Sequence, residues 1–220
     1  MNYLSICQRV HEIAGFQGQF NTVDTTGYQA VITQAVQDAY EDIQRYRPEW
    51  QFTKLRRDVN VSDAATEYPL DELWGTTETS DLASYRYINW YDSAKSRNHR
   101  LIEINYDTWQ FQKTDRNPGE PRAWAMRPWD KALLITPVDK VYTLTIHYVR
   151  DLDELTQNTS VPLIPQRHHQ LIVYGALLKV STFIGNPTLF DTYSLKYAEE
   201  MGQLMREENP ARVVTKRPIA

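Results

Sequence analysis

Between Asn117 and Tyr148 the chain abandons helical spacing, and that change limits the folds open to it. The stretch begins Asn117-Pro118-Gly119-Glu120-Pro121-Arg122-Ala123-Trp124, dense in turn residues. Strand-like runs follow at Lys131–Pro137 and Val141–Tyr148, the second closing on Ile146-His147-Tyr148. Helical periodicity lies on both sides of this block. The expected architecture is α+β and mostly helical: N-terminal and C-terminal helical hairpins packed as a bundle, with a small antiparallel β subdomain inserted between them.

The helical parts are read from their apolar spacing. In Tyr3–Ala14, Leu4, Ile6, Cys7, Val10 and Ile13 recur at helical intervals, and Gly15 suits the position after the end. From Tyr28, the set Val31, Ile32, Ala35, Val36, Ala39, Tyr40 and Ile43 makes a stripe that Pro48 stops. Pro165 opens a third helix, with Leu171, Ile172, Tyr174, Gly175, Leu178 and Phe183 on its buried side. Gly185-Asn186-Pro187 ends it and starts a fourth, over roughly Leu189–Glu208, before Pro210.

Between the hairpins the period shortens. Gln51–Val61 alternates, Glu67–Leu70 suits a short partner strand, and Tyr85–Tyr91 alternates aromatic with polar positions. That alternation places Tyr85, Tyr87, Asn89 and Tyr91 on one face, with Ile88 and Trp90 on the other. Arg100–Ile104 is expected to pair with it across a turn at Ser93–Asn98. Arg122–Arg127, Ala132–Pro137 and Val141–Tyr148 then read as one three-stranded antiparallel meander. The expected divisions are residues 1–50 as the N-terminal helical hairpin and 51–150 as the β-rich insert. Residues 161–208 form the C-terminal hairpin, and 209–220 an extended arm.

Composition removes several classes. A chain of 220 residues suits one domain with an embedded subdomain. Its formal net charge of −4 argues against a simple nucleic-acid binder. The single cysteine, Cys7, allows neither an intrachain disulfide nor a cysteine-rich zinc site. Met1-Asn2-Tyr3-Leu4 lacks the pattern of a signal peptide, and no apolar run reaches the ~20 residues of a membrane span, so no membrane partner is expected.

No motif carries chemistry. His168 and His169 are adjacent, so on a helix they point about a hundred degrees apart and cannot share one metal ion; surface or interface histidines are expected. Asp151, Asp153 and Glu154 read as a solvated acidic connector. Ser62, Ser80, Ser84 and Ser181 lie in no nucleophile elbow. The 8 glycines form no phosphate-cradling loop. Neither an enzyme nor a cofactor is expected. The basic clusters Arg45-Tyr46-Arg47, Lys54-Leu55-Arg56-Arg57, Lys95-Ser96-Arg97 and Lys216-Arg217 are scattered and read as solvated faces or intersubunit ion pairs. Of the 14 tyrosines and 6 tryptophans, many lie in the middle third. Such residues fill cores and also mark protein contacts; Tyr85, Tyr87, Trp90 and Trp109 are taken as intersubunit aromatic contacts.

Gly119-Glu120-Pro121-Arg122-Ala123-Trp124, Leu133-Leu134-Ile135-Thr136-Pro137, Tyr142-Thr143-Leu144-Thr145-Ile146-His147-Tyr148 and Leu163-Ile164-Pro165 occur in this order. With the layout from Tyr3 to about Glu208, they resemble the SU10-type head-to-tail adaptors of tailed bacteriophages. The resemblance implies a homo-oligomeric ring, of twelve subunits, at the neck of the virion. The ring would be made in the host bacterial cytoplasm, dock beneath the portal protein and meet a downstream tail or nozzle protein. Genomic double-stranded DNA would pass through without specific binding. Arg212, Val213, Val214, Lys216 and Arg217 in the arm would then contact the portal or a neighbour. The alternatives are a tail terminator or tail completion protein and, from another class, a carbohydrate- or peptidoglycan-acting protein.

Overall fold

The computed structural model describes residues 1–47, 50–62, 65–69, 82–92, 96–112 and 117–208. The chain divides into two units, one formed by Met1–Phe52 with the chain after Leu152, the other by Thr53–Asp151.

The first unit is helical. Helix α1 (Tyr3–Ala14) is capped by the Asn2 side chain, which accepts from the Ser5 N–H. It ends at Gly15, whose φ of 75° is the left-handed conformation glycine adopts without a Cβ penalty. Helix α2 (Tyr28–Tyr46) ends at Arg47, extended as expected of a residue preceding proline. A 3₁₀ turn at Gln166–His168 leads into α4 (His169–Ile184), and α5 (Pro187–Glu208) returns antiparallel beside it. Helix α4 is the hub, packing against α1, α2 and α5. This explains why it is apolar nearly all round, with Leu171, Ile172, Val173, Ala176, Leu177 and Val180 buried. At Gly175 an added Cβ would stand 3.0 Å from the Ala39 Cβ and 3.1 Å from the Tyr197 ring. The three helices approach closely there because the side chain is missing.

The second unit contains two four-stranded sheets. The first has the order β1 (Lys54–Val61), β8 (Tyr142–Arg150), β3 (Leu82–Asp92), β4 (Arg97–Arg100), all antiparallel. The second has the order β2 (Glu67–Tyr68), β7 (Leu133–Ile135), β6 (Ala123–Met126), β5 (Ile102–Glu103), with β5 and β6 parallel. Their inner faces share one core that includes Ile88, Trp90, Trp124, Leu133, Ile135, Leu144 and Ile146. Helix α3 (Tyr106–Gln112) covers the other side of the second sheet, where Trp109 packs on Ala125 and Leu134. With both faces covered, β7 is buried at every position.

Three sequence expectations change here. The last three strands are not one meander: β6 and β7 form a hairpin, whereas β8 crosses to the other sheet and becomes its interior strand. A nine-residue strand needs long partners, and β1 and β3 supply them where the three-residue β7 cannot. The chain also changes sheets at Leu101, so the segment read as one strand is two short ones. Finally, the β3–β8 register slips between Tyr85 and Tyr87. This bulge turns Tyr85 inward with Ile88 and Trp90 and leaves Tyr87 outside.

Candidate assembly surfaces

Of the four aromatic residues expected at subunit contacts, three are packed inside their own unit. Tyr85, Trp90 and Trp109 are buried, so their rings offer little area to a neighbour. Tyr85 meets Trp124 edge-on at 5.7 Å, its hydroxyl donates to the Lys131 carbonyl, and burial pushes its pKa well above the tyrosine range. Trp90 stacks on His99 and meets Tyr142 edge-on. Tyr87 alone of the four keeps an exposed aspect. The five arm residues Arg212, Val213, Val214, Lys216 and Arg217 lie outside the described residues.

Large apolar side chains are exposed elsewhere. In the β unit, Phe111 is 86% exposed and Trp129 69%. Trp129 is held rather than loose: it meets Tyr106 edge-on at 5.1 Å, with the Arg127 guanidinium 5.6 Å over its ring. Arg127 is fixed in turn by Asp130 at 2.6 Å and Glu67 at 2.9 Å, and its hydrogen bonds hold the Asp130 carboxyl below its ordinary pKa. In the helical unit, Phe183, expected on the buried side, is exposed because it stands in the last turn of its helix; with Phe190 it flanks the turn between α4 and α5, and Leu195 stands out from α5. Ordered aromatic rings facing water are the expected form of a contact surface seen without its partner.

The outer face of the first sheet is polar and basic. Register places Arg56 beside His147 and His147 beside Tyr87. The Tyr87 and His147 rings stack at 4.2 Å, and the Arg100 guanidinium sits 4.8 Å over Tyr87. Burial, then the charges of Arg56 and Arg86, push the His147 pKa below its usual value. Asp58, in the next row, accepts from the Thr145 hydroxyl at 2.7 Å. Arg86, Tyr87 and Arg100, with Glu103 and Trp124, line a shallow pocket in this unit.

The groups that drew attention as possible chemistry are structural. His168 and His169 are buried, contrary to the surface placement expected from sequence. His169 donates from Nε2 to the Ile164 carbonyl and accepts at Nδ1 from the Met1 nitrogen, 2.7 Å away. Nε2 of His168 lies 3.1 Å from Glu207, and its Nδ1 lies 3.6 Å from Glu200, both on α5. Among the described residues no group of three or more His, Cys, Asp or Glu is placed to hold a metal ion. Asp153, read as part of a solvated connector, accepts from the Tyr40 hydroxyl at 2.9 Å. Cys7 is buried, and burial pushes its thiol up to about 12. Among the described residues no helix is long and apolar enough to cross a membrane.

A helical unit interrupted by a two-sheet insert, with exposed aromatic and basic surfaces, is compatible with a structural connector. The sequence agrees: the chain belongs to the SU10 adaptor protein family, whose profile matches residues 1–216, and is therefore a phage head–tail adaptor. No curated protein shows a significant match to the chain.

Proposed function

We propose that twelve copies of the chain form a ring beneath the portal, join the capsid to a tail or nozzle protein, and line a channel for the genome. The observation that carries this reading is the family match over nearly the whole length. The exposed rings Phe111 and Trp129 in one unit, and Phe183 and Phe190 in the other, supply unlike surfaces of the kind a closed head-to-tail ring requires. Among the expected contact aromatics, Tyr87 retains that role. The net charge of −4 suits a conduit, because repulsion between wall and phosphate keeps DNA from binding tightly. The arm with Arg212, Val213, Val214, Lys216 and Arg217 reaches the portal or a neighbour.

The test is mass measurement of the purified protein alone and mixed with portal rings, followed by imaging of the mixture. Twelve added copies per portal support the reading; no added mass rejects it. A chain shortened at Asn209 is expected to bind portal particles more weakly. Unchanged binding removes the arm from the interface and leaves the ring intact.

A further inference from the structure

We propose that the charge-free tip between α4 and α5, carrying Phe183 and Phe190, docks in the socket at the opposite end of α4 on a second copy of this chain. The proposal rests on the ring reading and deepens it by naming one contact between neighbours.

The tip is apolar, uncharged and held. No charged residue occurs from Val180 to Phe190. Phe183 is 64% exposed, Phe190 42% and Ile184 36%. A Schellman pair closes the turn beneath them: the Gly185 N–H donates to the Thr182 carbonyl, and the Asn186 N–H to the Ser181 carbonyl at 2.9 Å. The Asn186 side chain then accepts from the Leu189 N–H at 3.1 Å and caps α5. Rings fixed in this way lose little freedom on docking.

The socket is an open depression of about 710 Å³, lined by Val161, Leu163, Ile164 and Pro165 together with Ser5 and His169. Val161 is 62% exposed. No Asp, Glu, Lys or Arg lines it, and the Met1 amine is bonded to His169 Nδ1.

Both features belong to the helical unit, at the two ends of one helix. His169 opens α4 and Ile184 closes it, 16 residues or about 24 Å apart. A copy therefore cannot fill its own socket, and unlike ends on one rigid helix join copies head to tail, as a ring requires. The chemistry favours this occupant over nucleic acid. An uncharged tip offers nothing to a phosphate backbone, and no ion is desolvated when it enters an uncharged socket. The area sets the strength. The three exposed side chains offer roughly 300 Å² of apolar surface, about 600 Å² with the socket wall, below the ~1,000 Å² of a stand-alone interface. The contact is therefore weak between free copies and effective once a platform holds them side by side.

Two variants altered only at exposed positions test this. F183K/F190K spoils the tip and keeps the socket, whereas V161K/Q166K spoils the socket and keeps the tip. The parent is expected to associate at about 0.1–1 mM by sedimentation equilibrium, and each variant alone at least about tenfold more weakly. Their equimolar mixture is expected to regain parent-like association but to stop at one-to-one pairs, because a single competent contact remains. In that mixture the His169 ring signals of F183K/F190K shift by NMR, and those of V161K/Q166K do not. A parent that stays monomeric at about 1 mM overturns the proposal. So does a mixture no stronger than its parts, or either variant alone matching the parent. Loss of portal binding by F183K/F190K with V161K/Q166K binding as the parent does also overturns it, because the tip then meets the portal rather than a neighbour. Portal rings that take up both variants to the parent's mass leave the connector reading standing and remove only this contact. Portal rings that take up no parent reject the connector reading itself.

Discussion

Gln44 pairs with the backbone of Asp153 through both ends of its amide. Its Oε1 accepts from the Asp153 N–H at 2.9 Å, and its Nε2 donates to the Asp153 carbonyl at 3.0 Å. Two turns earlier on α2, Gln37 makes the same pair of bonds to Leu155. Between them the Tyr40 hydroxyl donates to Asp153 and accepts from the Leu163 N–H. One face of α2 thus acts as a mock strand for the connector that follows β8.

Gln44→Leu keeps the volume but removes both bonds at a buried position. It is expected to cost about 2–4 kcal/mol, since two backbone groups lose their partners. Tyr40→Phe is expected to cost about 1–2 kcal/mol for the same reason. Urea unfolding followed by helical circular dichroism measures both, and losses below ~0.5 kcal/mol would show that water replaces these bonds.

At Gly175 two effects oppose each other. Alanine gains about 1 kcal/mol of helix propensity yet places its Cβ against a fixed Cβ of Ala39. The result is expected to lie near zero. Gly175→Val adds two methyl groups where there is no room and is expected to cost about 2–3 kcal/mol. A stable Gly175→Val protein would mean that α2 and α4 can separate.

The tryptophans should divide by burial. Trp124→Ala is expected to cost about 3–5 kcal/mol, whereas Trp129→Ala should stay within about 0.5 kcal/mol of the parent. Portal association is the informative second measurement, because Trp129→Ala is expected to weaken it with the fold unchanged. Full association by Trp129→Ala would remove that ring from the contact surface.

Acid should destabilise the protein from about pH 6.5 downward. The pKa values of His169 and His147 are both lowered in the fold, chiefly by burial. Below the ordinary histidine value of 6.5 the unfolded chain therefore binds more protons than the folded one. Stability is full above that pH and falls as pH drops through it. Urea midpoints at pH 7.5 and 5.5 check the sign. Cys7 adds a second readout: with its thiol pushed up to about 12, it should resist alkylation at pH 8 until denaturant is added.

Much of this fold is legible in the sequence because periodicity reports burial. The stripe from Tyr28 to Ile43 faces one core, and Gly15 and Gly185-Asn186-Pro187 stop helices through local backbone chemistry. What escapes is what non-local pairing decides. Nothing in Val141–Tyr148 says that β8 prefers β1 and β3 to its sequence neighbour β7. The bulge at Arg86 also depends on pairing, and it reverses which side of the sheet Tyr85 occupies. For that reason Tyr85 lies in the core rather than beside Tyr87. Residue type alone cannot separate Trp109, on the inner side of α3, from Trp129, in a turn. The partners of Gln37 and Gln44 lie more than a hundred residues away, beyond the reach of local spacing.

The ladder that sets Lys54 opposite Val149 bears on how the chain is made. During synthesis the first two helices emerge long before α4, the helix they need. Held apart by a slack loop of ~100 residues, the halves of the bundle would meet at a cost that grows with the logarithm of that length. Once β8 zips against β1, the two ends of the insert are neighbours and the loop is closed. By the same logarithm, that clasp removes roughly 1–2 kcal/mol of entropic cost from the final step. The insert is therefore expected to aid folding, and a circular permutant opened between β7 and β8 would lose the aid while keeping every strand.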